Sequence, residues 1–320
     1  MTDLFVKRSI SYFKGKKMTV EVKEPQVQKI KKMKVKEPEN IKEKEKAMEI
    51  AFIDLSYFVI HKYFGVLSWQ KFSKLDLTKE EIRERYSKSF EDSIVKFQRR
   101  YRFDWSRLYL SKDTPRDQIW RVNLCETYKD RKDFPLRSDF DPAIFGYTYE
   151  ILIPSLREKY GGFEILETHG AEADDVVAIA HRLLRKKGGA KGKDKETRIF
   201  VVTNDNDYVQ LHDANTTIVN ANGLDLTSRF TTEMLSVYTL WKVIKGDVSD
   251  CVPSIAPKIG DKTALKLALS PDLLKKKLDS NPTTQAQFDL NKTLIAFDSI
   301  PEDIVNNIEA MLNRSTLFKG

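Results

Sequence analysis

The sequence predicts an α/β protein: a mainly parallel central sheet flanked by helices, followed by a helical C-terminal subdomain. Three observations predict it. Short apolar runs alternate with helix-period stretches through the first two thirds of the 320 residues. Most of these runs close on, or lead straight into, acidic residues. Beyond Thr231 almost every segment reads as helix. The chain therefore divides into a basic tail (1–47), an α/β core (48–230) and a helical subdomain (231–320).

The tail carries 14 Lys/Arg against 7 Asp/Glu, includes Pro25 and Pro38, and shows no sustained period, which predicts a flexible arm. Its apolar start, Leu4, Phe5, Ile10, Tyr12 and Phe13, reads either as hydrophobics without a partner or as a short docking peptide. Glu49-Ile-Ala-Phe-Ile-Asp54 then reads as a buried strand, with helix over 57–64. Thr78 and Glu81 form a capping box, and Ile82, Tyr86, Phe90, Ile94, Phe97 and Tyr101 recur at helical spacing, predicting a helix over 79–103. Leu108-Tyr109-Leu110 is a second strand leading to Asp113. Residues 120–131 read as helix, and 132–142, with Pro135 and Pro142, as an exposed connection.

A third strand over 163–167 precedes Gly170-Ala-Glu172-Ala-Asp174-Asp175 and an apolar helix to Leu184. The Gly/Lys-rich run 186–195 reads as a solvated loop. Its spacing is one residue short of a phosphate-binding loop, and it precedes a strand where such a loop follows one. A fourth strand over 199–203 ends at Asn204-Asp205-Asn206-Asp207. The helices that follow are broken near Gly246, Pro253, Gly260, Pro271 and Pro282.

The net charge of +8 with a pI near 9.1 suggests a polyanionic partner, yet nearly all of the excess lies in the tail. A near-neutral body still admits nucleic acid if an acidic site and a basic track cancel. Two cysteines and four histidines offer neither a disulfide framework nor zinc spacing, and no apolar stretch approaches the roughly 20 residues of a membrane span. A cytoplasmic protein is expected. No G-x-S-x-G, G-x-G-x-x-G or paired Cys/His nucleophile is present.

The acids carry the chemistry. Open parallel sheets bind ligands at the carboxyl ends of their strands, where Asp54, Asp113, Asp205 and Asp207 lie. Glu172, Asp174 and Asp175 open a helix, and Asp247 and Asp250 follow in Gly-Asp-Val-Ser-Asp. Nine carboxylates from five segments repel one another unless cations or protons intervene. An all-oxygen donor set selects Mg²⁺ or Mn²⁺, and two such ions suit in-line phosphoryl displacement. Arg116, Trp120, Arg121, Tyr128, Lys129, Arg131 and Lys132 form a basic, aromatic stretch, read as a nucleic-acid track or as a solvated face with Trp120 in the core. Within it Lys129 and Arg131 are placed to steer a scissile phosphate. Lys258, Gly260, Lys262 and Thr263 sit in a turn between helices, read as a phosphate contact or as a plain connection.

Taken together, the strand ending in Asp54, the Glu172-Ala-Asp174-Asp175 run, Thr-Asn-Asp205-Asn-Asp207 and Lys-Gly-Asp247-Val-Ser-Asp250 before a Gly-Lys-Thr-Ala turn resemble the 5′-nuclease family of flap endonucleases and 5′→3′ exonucleases over residues 49 to 313. Trp120-Arg121, Tyr128-Lys129, 243–247 and 294–308 are most similar to its phage ribonuclease H branch. The resemblance implies removal of RNA primers and 5′ flaps in DNA replication by a monomer. It implies two Mg²⁺ ions, with Mn²⁺ as a substitute. One ion's environment would be Asp54, Asp113, Glu172, Asp174, Asp175 and Asp205; the other's would be Asp207, Asp247, Asp250 and shared Asp205.

By the same resemblance Lys129 and Arg131 lie near the scissile phosphate, residues 130–147 form a bridge or arch, and the turn at Gly260 is a helix–hairpin–helix-like DNA-binding element. That turn reads Lys258-Ile259-Gly260 where the family has Gly-Ile-Gly. The implied partners are DNA flaps, nicked duplex and RNA·DNA hybrids, with a sliding clamp through the tail and a single-stranded DNA-binding protein. Two other readings use the same residues: a PIN-type metal-dependent ribonuclease, against which the helical C-terminal third argues, and a non-catalytic replisome-binding factor.

Overall fold

A computed structural model describes residues 48–130, 139–190 and 197–318. The tail lies outside the described residues, as do Arg131, Lys132 and the rest of 131–138 in the expected bridge.

Five parallel strands form one sheet: β1 (Glu49–Asp54), β2 (Leu108–Ser111), β3 (Glu164–Leu166), β4 (Arg198–Val202) and β5 (Thr216–Val219), in the order β3-β2-β1-β4-β5. All six residues of β1 are buried, as expected of a central parallel strand covered on both faces. Its register sets Ile53 beside Leu110 of β2 and beside Val202 of β4. From β1 the chain moves outward to β2 and β3, then returns to the other side of β1 as β4 and β5. The strand order thus reverses between β1 and β4, which is where such sheets open a crevice at their carboxyl ends. The edge strand β5 was not predicted: four residues, two of them Thr, give too short a signal.

Asp54 ends β1 and caps α1 (Leu55–Ser73), accepting the Tyr57 N–H at 3.1 Å. The expected capping box starts α2 (Lys79–Tyr101), whose Phe90 packs edge-on to Phe58 of α1. α3 (Trp120–Leu124) stops well short of the predicted helix. Arg116 donates to the carbonyls of Glu126 and Tyr128, and Lys129 takes a left-handed φ of 53°, so this stretch is a fixed turn. α4 (Ala143–Tyr147) passes through a π-turn (Thr148–Leu152) into α5 (Ile153–Tyr160). Pro154 lacks an N–H and crowds the preceding turn, a sufficient cause for that bulge. α6 (Ala173–Ala190) lies against β1 and β2.

The C-terminal third is α7 (Thr232–Ser236), α8 (Tyr238–Lys245), α9 (Asp261–Ala268), α10 (Pro271–Asp279), α11 (Pro282–Ile295) and α12 (Glu302–Arg314). α10 and α11 begin with proline, where the missing N–H would be unsatisfied anyway. One apolar core joins Ile50, Phe52 and Val201 of the sheet to Val176 of α6 and to Ile308 and Leu312 of α12. A second, on the opposite face, joins Ile53 and Phe200 to Phe58, Phe90 and Phe97. Among the described residues no helix is long and apolar enough to cross a membrane.

The loop after α8 holds two of the predicted acids. Asp247 and Val252 exchange backbone N–H···O bonds of 2.8 Å, closing a tight loop around Asp250. Gly246 enters it at φ 78°, and a Cβ there would lie 2.4–2.5 Å from backbone atoms of Val252 and Pro253. Only glycine fits both conditions. Asn291 of α11, fully buried, donates to the carbonyls of Val243 and Pro253 and pins the loop from behind. Gly246→Ala is expected to destabilise the protein by about 2–4 kcal/mol, read as a lower urea midpoint at unchanged slope.

Candidate active site

At the carboxyl edge of the sheet a groove of about 420 Å³ is lined by Asp54, Asp113, Asp174, Asp205, Asp247 and Asp250, together with Lys129 and Tyr208. The six acids come from five segments: the ends of β1, β2 and β4, the start of α6, and the loop after α8. Local backbone fixes most of them. Asp113 accepts the Ala173 N–H at 2.8 Å, Asp174 that of Asp175 at 2.8 Å, and Asp205 that of Asp207 at 2.9 Å, each through Oδ1. Their Oδ2 atoms accept no hydrogen bond from the described residues. Asp54 is held by Tyr57 N–H and by the Thr203 hydroxyl at 2.9 Å.

Glu172, Asp175 and Asp207 do not line this groove; each is tied to an internal cation. Arg121, 1% exposed, reaches Asp175 through two N–H groups at 2.7 and 2.9 Å and Glu172 at 2.7 Å, and gives a further N–H to the Leu294 carbonyl. The Trp120 indole donates to Asp175 at 2.9 Å, and the Tyr128 hydroxyl to Glu172 at 3.1 Å. Lys129 lies 2.5 Å from Glu172 and 3.9 Å from Asp250. Lys242 of α8, itself buried, is ion-paired with Asp207 and lies 2.7 Å from Asp247. Sequence reasoning did not find Lys242: within an amphipathic helix a lysine reads as solvent-facing. Nor did it find Asn291 or Tyr208, since nothing local marks either one.

The predicted nucleic-acid contacts fall into three groups. Arg121 and Tyr128 were expected on a nucleic-acid-facing surface, and the structure corrects this. Both are buried beneath the groove, with their polar atoms committed to Glu172, Asp175 and Asp250. Arg116 is exposed, but its guanidinium holds the turn before Lys129. Lys258, Gly260, Lys262 and Thr263 are exposed at the entry to α9. Arg131 and Lys132 lie outside the described residues.

The electrostatics divide accordingly. Burial alone would raise Glu172, but Lys129 and Arg121 outweigh it and hold the carboxyl down at about 2. Asp247 is likewise lowered: burial opposes this, and the Lys242 ammonium prevails. Asp54 has no such partner. Burial first, then the charge of Asp113, pushes it up to about 7 from the usual 3.8. Burial and the Asp175 charge drive Asp174 far up, and burial raises Asp250 as well. Two sets of three carboxylates, Glu172/Asp174/Asp175 and Asp207/Asp247/Asp250, bring ligand atoms within 4.8 Å of one another. The donors are oxygens throughout, and burial disfavours the ionised forms of Asp54, Asp174 and Asp250, a combination that fits hard divalent cations.

The fold and groove thus bring six acids to the switch point of a parallel sheet. Residues 49–239 match the 5′-3′ exonuclease, N-terminal resolvase-like domain, and the chain belongs to that family. It is 35% identical over 153 residues to DNA polymerase I of Deinococcus radiodurans, covering 41% of this chain and 15% of that protein. It is 31% identical over 124 residues to DNA polymerase I of Lactococcus lactis subsp. cremoris, covering 36% and 13%. The chain thus matches only a small part of these curated relatives. Its fold is similar to that of the bacteriophage T5 D15 protein co-crystallised with metal ions (TM-score 0.56). It is also similar to that of a variant of the T5 flap endonuclease in a pseudo-enzyme-product complex with DNA and metal ions (TM-score 0.57). Each likeness is at 13% identity and covers 83% of this chain and 98% of that one.

Two outcomes follow from the charge distribution. Arg121→Met leaves Glu172 and Asp175 buried without their shared partner, and should destabilise the protein by about 3–5 kcal/mol; Arg121→Lys should restore only part of this, because an ammonium cannot make the two-pronged contact. For Asp54 the unfolded chain releases its proton near 3.8 while the folded protein keeps it to about 7. This group's contribution therefore becomes increasingly unfavourable from pH 3.8 to 7 and stays fully unfavourable above 7. In chelator, Asp54→Asn should raise the melting temperature more at about pH 8 than at about pH 5; an equal change at both would contradict the assignment.

Proposed function

We infer that the chain is a structure-specific 5′ nuclease that hydrolyses phosphodiesters in 5′ flaps, nicked duplex and RNA-primed DNA during replication, using two divalent ions, Mg²⁺ in the cell. The observation that carries this reading is the groove itself: six carboxylates from five segments meet at the sheet's switch point, and three of them keep an oxygen without a partner among the described residues. Family membership supports the reaction class.

On this reading Asp54, Asp113, Asp174 and Asp205 hold one ion, with Glu172 and Asp175 setting their geometry from behind; Asp207, Asp247 and Asp250 hold the other, with Asp205 between them. Such a pair supplies an activated water and charge compensation at the leaving oxygen. The protein's own part is positioning. Lys129, tethered at the groove wall, meets the scissile phosphate; Arg131, beyond the described residues, is assigned beside it. Lys258, Gly260, Lys262 and Thr263 take a duplex phosphate without reading sequence. In domain terms, 48–230 carries most of the groove acids, and 231–320 adds Asp247 and Asp250 and grips the duplex. A sliding clamp held through residues 1–47 and a single-stranded DNA-binding protein complete the proposed partners.

The test is a 5′-labelled flap with and without Mg²⁺, beside a blunt duplex and an RNA-primed template. Cleavage near the flap junction and release of the primer are expected, both requiring the ion. Asp174→Asn and Asp205→Asn should each lower the cleavage rate by about 10²–10³-fold or more while DNA affinity changes little. Silence of the unaltered protein on all three substrates, or cleavage retained in either variant, would refute the reading.

A further inference from the structure

Tyr208, on the groove wall, carries a buried hydroxyl to which the described residues give no partner. It follows Asp207 in the turn after β4, and its ring belongs to the core shared by the sheet, α6 and α12. The residue is 1% exposed, it lines the same groove as Asp54, Asp113, Asp174 and Asp205, and its hydroxyl has no hydrogen-bond partner among the described residues. The Tyr101 hydroxyl, outside the groove's lining, is likewise without a partner among the described residues, but three other buried tyrosines differ. The Tyr86 hydroxyl pairs with Thr148 at 2.7 Å, that of Tyr128 with Glu172, and that of Tyr238 with the Asn206 carbonyl at 2.8 Å.

A buried hydroxyl left unpaired is unfavourable, and phenylalanine would pack the same ring without it. A phenol is protonated at neutral pH, so this hydroxyl can donate. Ionised carboxylates present only acceptors, so acids that hold a cation cannot donate to the water around it.

We propose that Tyr208 is a positioning residue whose hydroxyl completes the groove's ligand shell, hydrogen-bonding the hydration shell of the divalent cation held by Asp54, Asp113, Asp174 and Asp205. This deepens the nuclease reading and rests on it. The acids fix the ion by charge; Tyr208 fixes the orientation of its water from below, the role that partners outside the coordinating atoms commonly play at metal sites. It changes no covalent bond.

The experiment compares full-length wild type with Tyr208→Phe, and with Tyr86→Phe as a control phenol far from the groove. Thermal melting in chelator comes first. Tyr208→Phe should melt cooperatively at or above the wild-type temperature, since it removes an unpaired hydroxyl; Tyr86→Phe should melt lower, since it breaks a made hydrogen bond. Mn²⁺ is then titrated by calorimetry and by electron paramagnetic resonance. Tyr208→Phe should bind the ion about tenfold more weakly, with altered relaxation of its water, and Mn²⁺ should raise its melting temperature less than that of wild type. Tyr86→Phe should bind Mn²⁺ as wild type does. Equal Mn²⁺ affinity and water relaxation in wild type and Tyr208→Phe would overturn the proposal while leaving the nuclease reading intact. Failure of wild type to bind Mn²⁺ at all would overturn both.

Discussion

Between Glu172 and Asp175, the Arg121 guanidinium supplies the positive charge without which two neighbouring carboxylates could not both stay ionised out of water. At an effective dielectric of about 20, charges about 4 Å apart interact by roughly 4 kcal/mol. Two attractive contacts to one guanidinium therefore outweigh the repulsion between the acids it joins. Lys129 adds a second cation on Glu172. Because these charges are balanced within the fold, α6 can begin with three acids in four residues and still pack Val176 and Val177 into the core directly behind them. The first turn of α6 is thereby held in place, and with it Asp174, which faces the groove.

The same principle operates at the other end of the site with different parts. Lys242 rises from α8 to Asp207 and Asp247, so that the turn after β4 and the loop after α8 are joined through one ammonium. Asn291 and Gly246 shape that loop from behind. Internal cations thus secure Glu172, Asp175, Asp207 and Asp247 without any ligand. Asp54, Asp113, Asp174 and Asp205 make no ion pair among the described residues, and three of these sit at the ends of β1, β2 and β4. The sheet's switch point concentrates negative charge on one side of a rigid frame, and the frame tolerates it because the flanking acids are already neutralised.

Much of the fold was legible in the sequence because parallel strands buried on both faces read as short apolar runs, and because Thr78-x-x-Glu81 and the prolines of α10 and α11 punctuate helices locally. The convergence of acids was legible for a topological reason: strand-end residues of a parallel sheet must lie along one edge. Which acids face the groove was not legible. That division depends on cations brought from elsewhere in the chain, Arg121 about fifty residues before Glu172 and Lys242 from a helix beyond the sheet. The Trp120–Tyr128 stretch shows the same limit. Basic and aromatic residues at these spacings suit a nucleic-acid surface and a buried counter-ion equally well, and only tertiary packing chose the second for Arg121 and Tyr128. The helix over 120–131 was shortened for a related reason: the Arg116 guanidinium binds carbonyls that a helix would have used.

The charge balance of the whole chain takes on a different meaning in this light. A net +8, of which +7 lies in residues 1–47, leaves a body with almost equal numbers of basic and acidic residues, and such a body would ordinarily be a poor polyanion binder. Here its acids and bases are not mixed at random. Three cations, Arg121, Lys129 and Lys242, are drawn inward to the acids, so they are largely withdrawn from any surface field. The groove gathers acids whose ionised forms repel a polyanion, so a polyanion approaches it once cations occupy the acids or through basic groups placed outside it. The exposed Lys258 and Lys262 at the entry to α9 are such groups. Substrate grip and bond cleavage therefore fall on different parts of the structure, and any divalent cation in the groove serves the approach of the strand as well as its hydrolysis.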